Sequence, residues 1–247
     1  MHSRFYAPTL RPGDVRVALS SEESAHALRV LRLREGAEVR VFDGRGQEYR
    51  GVVDELGRAG VAVRIAEQVE NRAEPSISVT LAQAVLKGDH MDAVVRDAVM
   101  LGVTALVPVV TEHTETDLRR LAKGARIERW ERVAVASAKQ CGRAVVPSIA
   151  APVALRDYLD RAADDARVIL AEPEAGCGAA GPERLASLPP PRSLALLAGP
   201  EGGWSAIELA AARAAGFLPL TLGRRTLRAD AAALAALPVL QFLWGDL

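Results

Sequence analysis

The chain has 247 residues, and its 31 lysine and arginine residues balance 31 aspartate and glutamate residues, so its formal net charge is zero. Apolar residues make up 49% and charged residues 25%, proportions close to those of an average globular protein. This composition excludes a collagen-like repeat, a disulfide-rich miniprotein and a long disordered tail. We see no run of about 20 apolar residues and no secretory signal, so we expect a cytoplasmic protein that does not enter a membrane.

The N-terminal part of the chain is predicted to be rich in β-strands. Four strands are predicted from short, partly alternating apolar runs, at 15–19, 38–43, 47–54 and 60–65. The segment 43–46 (Asp-Gly-Arg-Gly) has the composition of a hairpin turn. One helix is predicted to begin at Ser21, with apolar residues at near-helical spacing: Ala25, Leu28, Leu31 and Leu33. Several short strands around one helix favour a small β-barrel.

The polar segment 68–76 separates this region from a different pattern, so we predict two domains, at 1–70 and 77–247. Beyond the boundary, apolar runs predict strands at 77–84, 105–110, 168–171, 194–198 and 219–222. Helices are predicted at 91–101, 118–140, 205–215 and 229–244. Strands that alternate with helices indicate an α/β domain with a parallel sheet. The segment 173–191, rich in glycine and proline, is predicted to be an exposed loop.

A glycine-rich segment at 197–205 follows a predicted buried strand and precedes a helix. Ser205 and Glu208 have the spacing of a capping box at the start of that helix. Glycines allow a ligand to approach the backbone, and ligands of open α/β sheets bind at the carboxyl ends of strands. An ordinary strand-to-helix turn is the alternative. The segment is neither a GxGxxG nor a P-loop motif, which disfavours hydride transfer and ATP hydrolysis.

A second segment, at 220–231, also runs from a short strand through a glycine to a helix start. Arg228 and Asp230 flank the predicted start of that helix near Ala229, where a carboxylate is favoured by the helix dipole. The two glycine-containing loops are predicted to form two walls of one pocket. The alternative for Arg224 and Arg225 is a solvated helix start.

A third segment, at 137–143, ends the long predicted helix. Lys139 and Arg143 either complement the negative end of this helix or face a substrate. The sequence leaves both interpretations open.

Taken together, the segments 197–205, 222–232 and 139–143 resemble the RsmE family. These are bacterial methyltransferases of the SPOUT superfamily that act on nitrogen 3 of a uridine in small-subunit (16S) ribosomal RNA. The segments 26–32 and 41–46 resemble the PUA-like RNA-binding barrel of the family, and 86–92 resembles the start of its catalytic domain. The resemblance covers nearly the whole chain. It implies a PUA-like β-barrel followed by an α/β domain with a deep trefoil knot.

The chain departs from the family pattern at three places. Trp204 stands where the family usually has Phe, Cys141 where it has Ser, and Ala229-Asp230-Ala231 where it has Thr-Glu-Thr. The first is a conservative aromatic exchange, and the second does not indicate a catalytic cysteine. The third removes two hydroxyl groups and shortens a carboxylate side chain, which puts any role of those hydroxyls in doubt.

The resemblance also implies a cofactor and a partner. S-adenosylmethionine is expected to bind in the C-terminal domain at a site that includes Leu170, Glu172, Leu197, Ala198, Gly199, Pro200, Glu201, Gly202, Gly203, Leu222, Gly223, Leu227, Arg228 and Ala231. The expected partner is small-subunit ribosomal RNA or the assembled 30S particle. A homodimer is expected, and the chemistry requires no metal, in keeping with the four histidines, which lack a metal-site spacing.

Methylation at nitrogen 3 requires that this atom first lose its proton. Arg228 is the leading candidate for orienting the base and stabilising its anion, and Lys139, Arg143 and Glu201 are further candidates. The sequence identifies no proton acceptor. Arg4, Arg29, Arg32 and Arg34 are candidates for binding the RNA backbone. Two other hypotheses are a non-catalytic RNA-binding or ribosome-assembly protein, and an enzyme that binds a phosphate metabolite in the glycine-rich loop.

Overall fold

The computed structural model describes residues 3–57, 60–70, 74–173 and 181–245. The chain forms two compact units, and the first comprises the residues up to Glu74 together with Val135–Val146. The second comprises Pro75–Ala134 and the chain from Pro147 onward. The association of 135–146 with the first unit is not visible in the sequence pattern, because it depends on contacts between distant parts of the chain.

The first unit contains a five-stranded sheet in the order β1-β3-β4-β5-β2. Its strands are β1 (Ser3–Tyr6), β2 (Arg16–Ala18), β3 (Glu38–Phe42), β4 (Glu48–Gly57) and β5 (Gly60–Gln68). The pairing of β1 with β3 is parallel, and the other pairs are antiparallel. The four predicted strands are confirmed, whereas β1 has too few residues to show a pattern.

The predicted turn between β3 and β4 is also confirmed. Oδ1 of the buried Asp43 accepts hydrogen bonds from the backbone N–H groups of Arg45 and Gln47, at 2.7 and 2.9 Å. Such a bond from a side chain to nearby backbone donors is the reason that Asp favours turns.

The predicted helix of the first unit is only partly regular. α1 (Ser21–Ala25) continues into a π-helical turn over His26–Val30. Because a π-helical turn holds more residues than an α-helical turn, the predicted spacing fails beyond Ala25. Leu28 and Leu31 are therefore exposed rather than buried. The turn is followed by Arg32, whose φ of 51° is the one positive value at a non-glycine position among the described residues.

The second unit contains a parallel sheet in the order β12-β10-β11-β6-β7-β8, and β9 also pairs with β7. Its strands are β6 (Ser78–Ala84), β7 (Ala105–Val110), β8 (Ser148–Ile149), β9 (Val153–Ala154), β10 (Ala166–Leu170), β11 (Ser193–Ala198) and β12 (Leu218–Leu220). The predicted parallel α/β architecture is thus confirmed. Since neighbouring strands are parallel, the segments that follow β6, β10, β11 and β12 lie at the same edge of the sheet.

Seven helices of the described residues accompany this sheet or connect it: α2 (His90–Met100), α3 (Leu118–Lys123), α4 (Arg126–Cys141), α5 (Leu155–Leu159), α6 (Glu183–Ala186), α7 (Ala206–Ala214) and α8 (Ala229–Trp244). The prediction of one helix over 118–140 is wrong, because Gly124 has an extended backbone (φ −98°, ψ 156°) that separates α3 from α4. The predicted loop 173–191 contains α6, and its residues 174–180, with Cys177, lie outside the described residues.

The core of the second unit lies between the sheet and its helices. Leu194–Ala198 of β11 are completely buried, as expected for a central strand that is covered on both faces. Within the described part of the chain, we find no helix with the length and hydrophobicity needed to cross a membrane.

Candidate active site

A cavity of about 410 Å³ lies at the carboxyl edge of the parallel sheet. Its walls come from the segments that follow β10, β11 and β12, and His90 at the start of α2 contributes to them. This volume is within the roughly 300–1,000 Å³ typical of small-molecule sites. The prediction that the two glycine-containing loops form walls of one pocket is confirmed, because both line this cavity.

The structure places nine of the predicted cofactor-binding residues in the cavity wall: Leu170, Glu172, Gly199, Pro200, Glu201, Gly203, Leu222, Leu227 and Arg228. Leu197 and Ala198 do not line it, because their side chains are completely buried in β11. Gly202, Gly223 and Ala231 are also outside its lining.

The lining further includes residues that the sequence analysis did not name as cofactor-binding: His90, Ala171, Pro173, Trp204, Leu220, Thr221, Arg225, Thr226, Ala229, Asp230 and Ala232. Most of these residues are direct neighbours of predicted ones. His90 is the exception, because it lies far away in the sequence. The one indication of His90 in the sequence is its position in the segment 86–92, which resembles the start of the family's catalytic domain.

The capping box predicted at the start of α7 is present. Oγ of Ser205 accepts from the backbone N–H of Glu208 at 3.3 Å, and the Glu208 carboxylate accepts from the Ser205 N–H at 3.0 Å. The other carboxylate oxygen of Glu208 accepts from the N–H of Glu112 at 2.8 Å. The end of the glycine-rich loop is therefore held to a second loop, after β7.

Two glycines of the loop are required by neighbouring protein groups rather than by a ligand. A Cβ atom at Gly202 would lie 2.8 Å from Cβ of His113, and one at Gly199 would lie 3.0 Å from the indole ring of Trp204. Nδ1 of His113 is also 3.1 Å from the carbonyl oxygen of Gly203. A side chain at Gly202 is thus excluded by His113, and the predicted role of Gly202 in cofactor binding stays a prediction.

Trp204, which departs from the family pattern, makes a contact that Phe cannot make. Its indole Nε1–H donates a hydrogen bond of 2.8 Å to the carbonyl oxygen of Leu170. This bond joins the glycine-rich loop to the end of β10. Two walls of the cavity are consequently fixed to each other.

Glu201 also holds a wall of the cavity. Its carboxylate accepts a hydrogen bond of 3.0 Å from the backbone N–H of Lys87, in the segment between β6 and α2. Nζ of Lys87 in turn pairs with Glu115 at 2.5 Å. The hydrogen bond with Glu115 and the charges of Glu115 and Glu201 raise the pKa of Lys87 above its ordinary value, against a lowering by desolvation. Glu201 therefore acts as an anchor of the loop.

Arg228, Asp230 and His90 form a cluster in the cavity wall. Nε of Arg228 donates to Oδ1 of Asp230 at 3.1 Å, and Nδ1 of His90 lies 3.2 Å from Oδ2. Burial raises the pKa of Asp230, but the hydrogen bond from Arg228, together with the charges of Arg228 and His90, lowers it below its ordinary value. The predicted position of Arg228 and Asp230 on either side of the start of α8 is confirmed.

Lys139 and Arg143 are not in the cavity lining, and both belong to the first unit. Nζ of Lys139 contacts the two carboxylate oxygens of Glu23 at 2.8 and 2.7 Å, and Nε of Arg143 donates to Glu74 at 3.2 and 3.0 Å. Their side chains are only 19% and 9% exposed. These ion pairs neutralise both charges, so the structure offers no support for the predicted catalytic role.

The structure offers no support for the prediction that Arg4 binds RNA. Its guanidinium group donates to both carboxylate oxygens of Glu48 and to the carbonyl oxygens of Ala138, Lys139 and Arg143, at 2.7–3.1 Å. All five N–H donors of an arginine are used in this way. Arg4 thus contributes hydrogen bonds to carbonyl groups in and just after the last turn of α4.

Arg29, Arg32 and Arg34 differ from Arg4 because all three are exposed. Within the part of the chain that the structure describes, no hydrogen bond or ion pair involves their side chains. The exposed apolar side chains of Val30 and Leu31 lie between Arg29 and Arg32 in sequence, and the exposed Leu28 directly precedes Arg29. As far as the described residues are concerned, the three arginines are available to contact a negatively charged partner.

Among the described residues, no group of three or more His, Cys, Asp or Glu side chains is placed to hold a metal ion. What the site does present is a cavity with apolar walls, several carboxylates and the N-termini of two helices. This arrangement suits a small organic ligand.

Comparisons with known proteins agree on one class of enzyme. The sequence model described as an RNA methyltransferase domain matches residues 73–241, and that of an RNA methyltransferase PUA domain matches residues 19–66. The chain thus has the fold and site of an RNA methyltransferase that carries a PUA domain. It belongs to the family of ribosomal RNA small subunit methyltransferase E.

Relatives of that name include a protein of Synechocystis sp., which is 32% identical over 91% of this chain and 72% of its own length. A protein of Mycobacterium bovis is 30% identical over 97% of this chain and 92% of its own length.

Two solved structures are similar over the whole chain. A methyltransferase from Legionella pneumophila in complex with the cofactor SAM has a TM-score of 0.91 and 33% identity, with 100% of both chains covered. The ribosomal RNA small subunit methyltransferase E from Neisseria gonorrhoeae, bound to S-adenosyl methionine, has a TM-score of 0.88 and 32% identity, with 100% of this chain and 99% of that chain covered.

Proposed function

We propose that this protein transfers the methyl group of S-adenosylmethionine to nitrogen 3 of a uridine in small-subunit (16S) ribosomal RNA. The observation that carries this proposal is the cavity at the carboxyl edge of the parallel sheet, in a chain of the ribosomal RNA small subunit methyltransferase E family. The similar proteins from Legionella and Neisseria bind this same cofactor.

The residues of the cavity fit S-adenosylmethionine. The apolar side chains of Leu170, Leu222 and Leu227 suit the adenine ring, and the backbone of Gly199 and Gly203 offers hydrogen-bonding groups at its edge. The carboxylates of Glu172 and Glu201 suit a positively charged sulfonium and the hydroxyls of a ribose.

When bound, the cofactor supplies a methyl group on a positively charged sulfur, which is a good leaving group. The protein must position the target base and stabilise the negative charge that develops on its carbonyl oxygens. Arg228 is placed to do both, because it lines the cavity and its side chain is 73% exposed. The first residues of α2 and α8 also line the cavity, and the partial positive charge of a helix N-terminus favours an anion.

The RNA must expose its base to reach a cavity of this kind. We assign the binding of the RNA backbone to Arg29, Arg32 and Arg34, whose guanidinium groups suit phosphate oxygens. The exposed apolar residues between them would contact unstacked bases. The reaction on ribosomal RNA implies that the protein works in the cytoplasm.

Finer features of the fold are part of the same proposal. We infer that the five-stranded sheet closes into a PUA-like barrel, that the C-terminal domain has the trefoil knot of the SPOUT superfamily, and that the domain limits are 1–70 and 77–247. We also propose a homodimer, which is supported by the exposure of Phe242 on α8 and Met100 on α2. Sedimentation velocity of the wild type and of Phe242→Glu tests this dimer. We expect the wild type to sediment as a dimer and Phe242→Glu to sediment as a monomer.

The proposed activity is tested with small-subunit particles from a bacterial strain that lacks its own methyltransferase of this family. The particles are incubated with the protein and S-adenosylmethionine, and modified nucleosides are mapped by mass spectrometry. One new N3-methyluridine at a single position is expected. A wild-type protein that binds the cofactor in calorimetry but methylates no uridine would contradict the proposal.

The two alternative hypotheses are less well supported. The change to Ala229-Asp230-Ala231 is the feature that would favour a non-catalytic protein, yet Asp230 retains a carboxylate that contacts both Arg228 and His90. An enzyme that binds a phosphate metabolite is disfavoured by the family match rather than by charge, since Arg225 and Arg228 line the cavity together with Glu172 and Glu201.

A further inference from the structure

The reaction needs a group that removes the proton from nitrogen 3, and the structure contains a suitable pair outside the predicted site residues. His90 is the first residue of α2, and Asp230 lies in the first turn of α8. Nδ1 of His90 is 3.2 Å from Oδ2 of Asp230, and both residues line the cavity. The two helices thus bring together an imidazole and a carboxylate that are distant in the sequence.

The contact with Asp230 determines which nitrogen of the imidazole is free. An ionised carboxylate accepts hydrogen bonds and donates none, so the tautomer with its hydrogen on Nδ1, facing Oδ2 at 3.2 Å, is the one that this contact favours. In the neutral ring, Nε2 then has a lone pair and is able to accept a proton. A histidine oriented by a carboxylate in this way is an arrangement that enzymes use for general base catalysis.

Asp230 is charged under the conditions of the reaction. Burial raises its pKa, but the hydrogen bond and charge of Arg228, with the charge of His90, bring this pKa below the ordinary value. The carboxylate is therefore ionised at neutral pH. It would stabilise the imidazolium that forms when His90 accepts a proton.

The other charged groups around His90 are less suited to accept the proton. On α2 and before it, Asp89 and Asp92 pair with Arg129, and Lys87 pairs with Glu115. In the cavity wall, the carboxylate of Glu201 accepts a hydrogen bond from the backbone N–H of Lys87, and Glu172 is a second carboxylate. Arg225 and Arg228 also line the wall, and they remain protonated. A carboxylate is in general a weaker base than an imidazole for a ring N–H near neutral pH.

We propose that His90 is the catalytic residue that accepts the N3 proton of the target uridine, and that Asp230 is the positioning residue that orients it. This inference rests on the proposed function. The N–H bond breaks as Nε2 takes the proton, and the electron pair left on N3 forms the bond to the methyl carbon. The bond from this carbon to sulfur breaks with its electron pair remaining on sulfur. His90 then releases the proton to solvent.

The first test is the single-turnover rate of methyl transfer to small-subunit particles, with the radiolabelled methyl group of S-adenosylmethionine. Because general base catalysis contributes roughly 10²–10⁴-fold, His90→Ala is expected to lower this rate by about that factor. Its affinity for S-adenosylmethionine, measured by calorimetry, is expected to stay within about threefold of wild type. His90→Gln keeps a polar group beside Asp230 but no imidazole, and its single-turnover rate is expected to fall by a similar factor.

Added imidazole separates a role in proton transfer from a structural role. Free imidazole in the space left by His90→Ala is expected to raise the rate at least tenfold with saturation. The same imidazole is expected not to change the rate of methyl transfer by Arg228→Ala, because that variant retains His90.

The positioning role of Asp230 is tested by the pH profile of the same rate. Asp230→Asn is expected to lower the rate about tenfold or more and to move the acid limb to lower pH, because the imidazolium loses its negative neighbour. Asp97→Asn is the matched control, since Asp97 also pairs with an arginine and its side chain is 25% exposed against 26% for Asp230. It lies outside the cavity lining, and a wild-type profile is expected.

The outcomes separate this inference from the proposed function. An active wild type with His90→Ala and His90→Gln within threefold of its rate would overturn the role of His90 and leave the proposed function in place. Loss of activity that imidazole does not restore, together with weakened cofactor binding, would also overturn it, because it indicates a structural role. A wild type that methylates no particle would overturn the proposed function and this inference with it.

Discussion

At the residue scale, single side chains of the cavity act mainly by fixing the loops that surround it. Trp204 joins the glycine-rich loop to β10, Glu201 joins it to the segment before α2, and Gly202 allows the loop around His113 to approach. Each of these contacts links parts of the chain that are distant in sequence. The shape of the cavity therefore depends on residues that need not contact a ligand.

The role of Gly202 predicts the behaviour of Gly202→Val. Its Cβ would meet Cβ of His113 at 2.8 Å, so the loop must move, and we expect a loss of cofactor affinity with a destabilisation of about 1–3 kcal/mol. Calorimetry with S-adenosylmethionine and urea unfolding measure the two effects. The double variant Gly202→Val with His113→Gly removes the colliding atom and should recover affinity relative to Gly202→Val, with His113→Gly alone as its control. No recovery would indicate that the valine instead occupies ligand space.

The hydrogen bond of Trp204 predicts that Trp204→Phe, which restores the usual family residue, destabilises the protein by about 1 kcal/mol. The carbonyl oxygen of Leu170 would lose its indole donor. Tyr158→Phe is the matched control, because the buried Tyr158 hydroxyl has no hydrogen-bond partner among the described residues. Its removal is expected to be neutral or stabilising. Equal losses in the two variants, measured by urea unfolding, would contradict this account.

At the scale of single elements, the π-helical turn over His26–Val30 distinguishes the first unit. It leaves Leu28, Val30 and Leu31 exposed, and it is followed by the left-handed backbone of Arg32. A left-handed conformation costs a non-glycine residue about 1–2 kcal/mol. The surrounding structure must offset this cost. The result is one short segment that exposes three arginines.

This segment predicts a change in the salt dependence of RNA binding. Each of Arg29→Gln, Arg32→Gln and Arg34→Gln is expected to reduce the slope of log affinity against log salt by about 0.7, the value for one phosphate contact to a single strand. Fluorescence anisotropy with a short labelled RNA gives this slope. Arg16→Gln is the control, because Arg16 already pairs with Asp54 and Glu55. Unchanged slopes in all three variants would place the RNA surface elsewhere.

At the scale of the whole molecule, distant parts of the chain meet at buried charges. Arg4 near the N-terminus bonds to Glu48 and to carbonyl groups between 138 and 143, all within the first compact unit. The Arg4 and Glu48 side chains are 12% and 4% exposed. A buried pair of this kind is costly to break, because the Glu48 carboxylate would lose its shortest ion pair and keep only the longer contact with Arg40.

We therefore expect Arg4→Met to destabilise the protein by about 3–5 kcal/mol in urea unfolding. Arg40 would remain as a partner of Glu48, at 3.5 Å. Arg50→Met in the same sheet is the control, since its pair with Glu67 is more than half exposed, and a loss below about 1 kcal/mol is expected. A similar small loss for Arg4→Met would show that this network contributes little.

The sequence alone determined those features that depend on neighbouring residues. Apolar runs predicted the strands of the parallel sheet, Ser205 and Glu208 predicted the capping box, and two glycine-containing loops predicted the cavity walls. These signals are local, because hydrogen bonds and side-chain periodicity within an element involve residues close in the chain. The motifs in these segments also indicated the family.

Only the tertiary structure decided which side chains act together. It placed His90 beside Asp230, occupied every donor of Arg4, and set Gly202 against His113. It also paired Lys139 and Arg143 with carboxylates away from the cavity lining. Such contacts join residues that are far apart in sequence, and their partners are set by the packing of whole elements. No pattern within one segment carries that information.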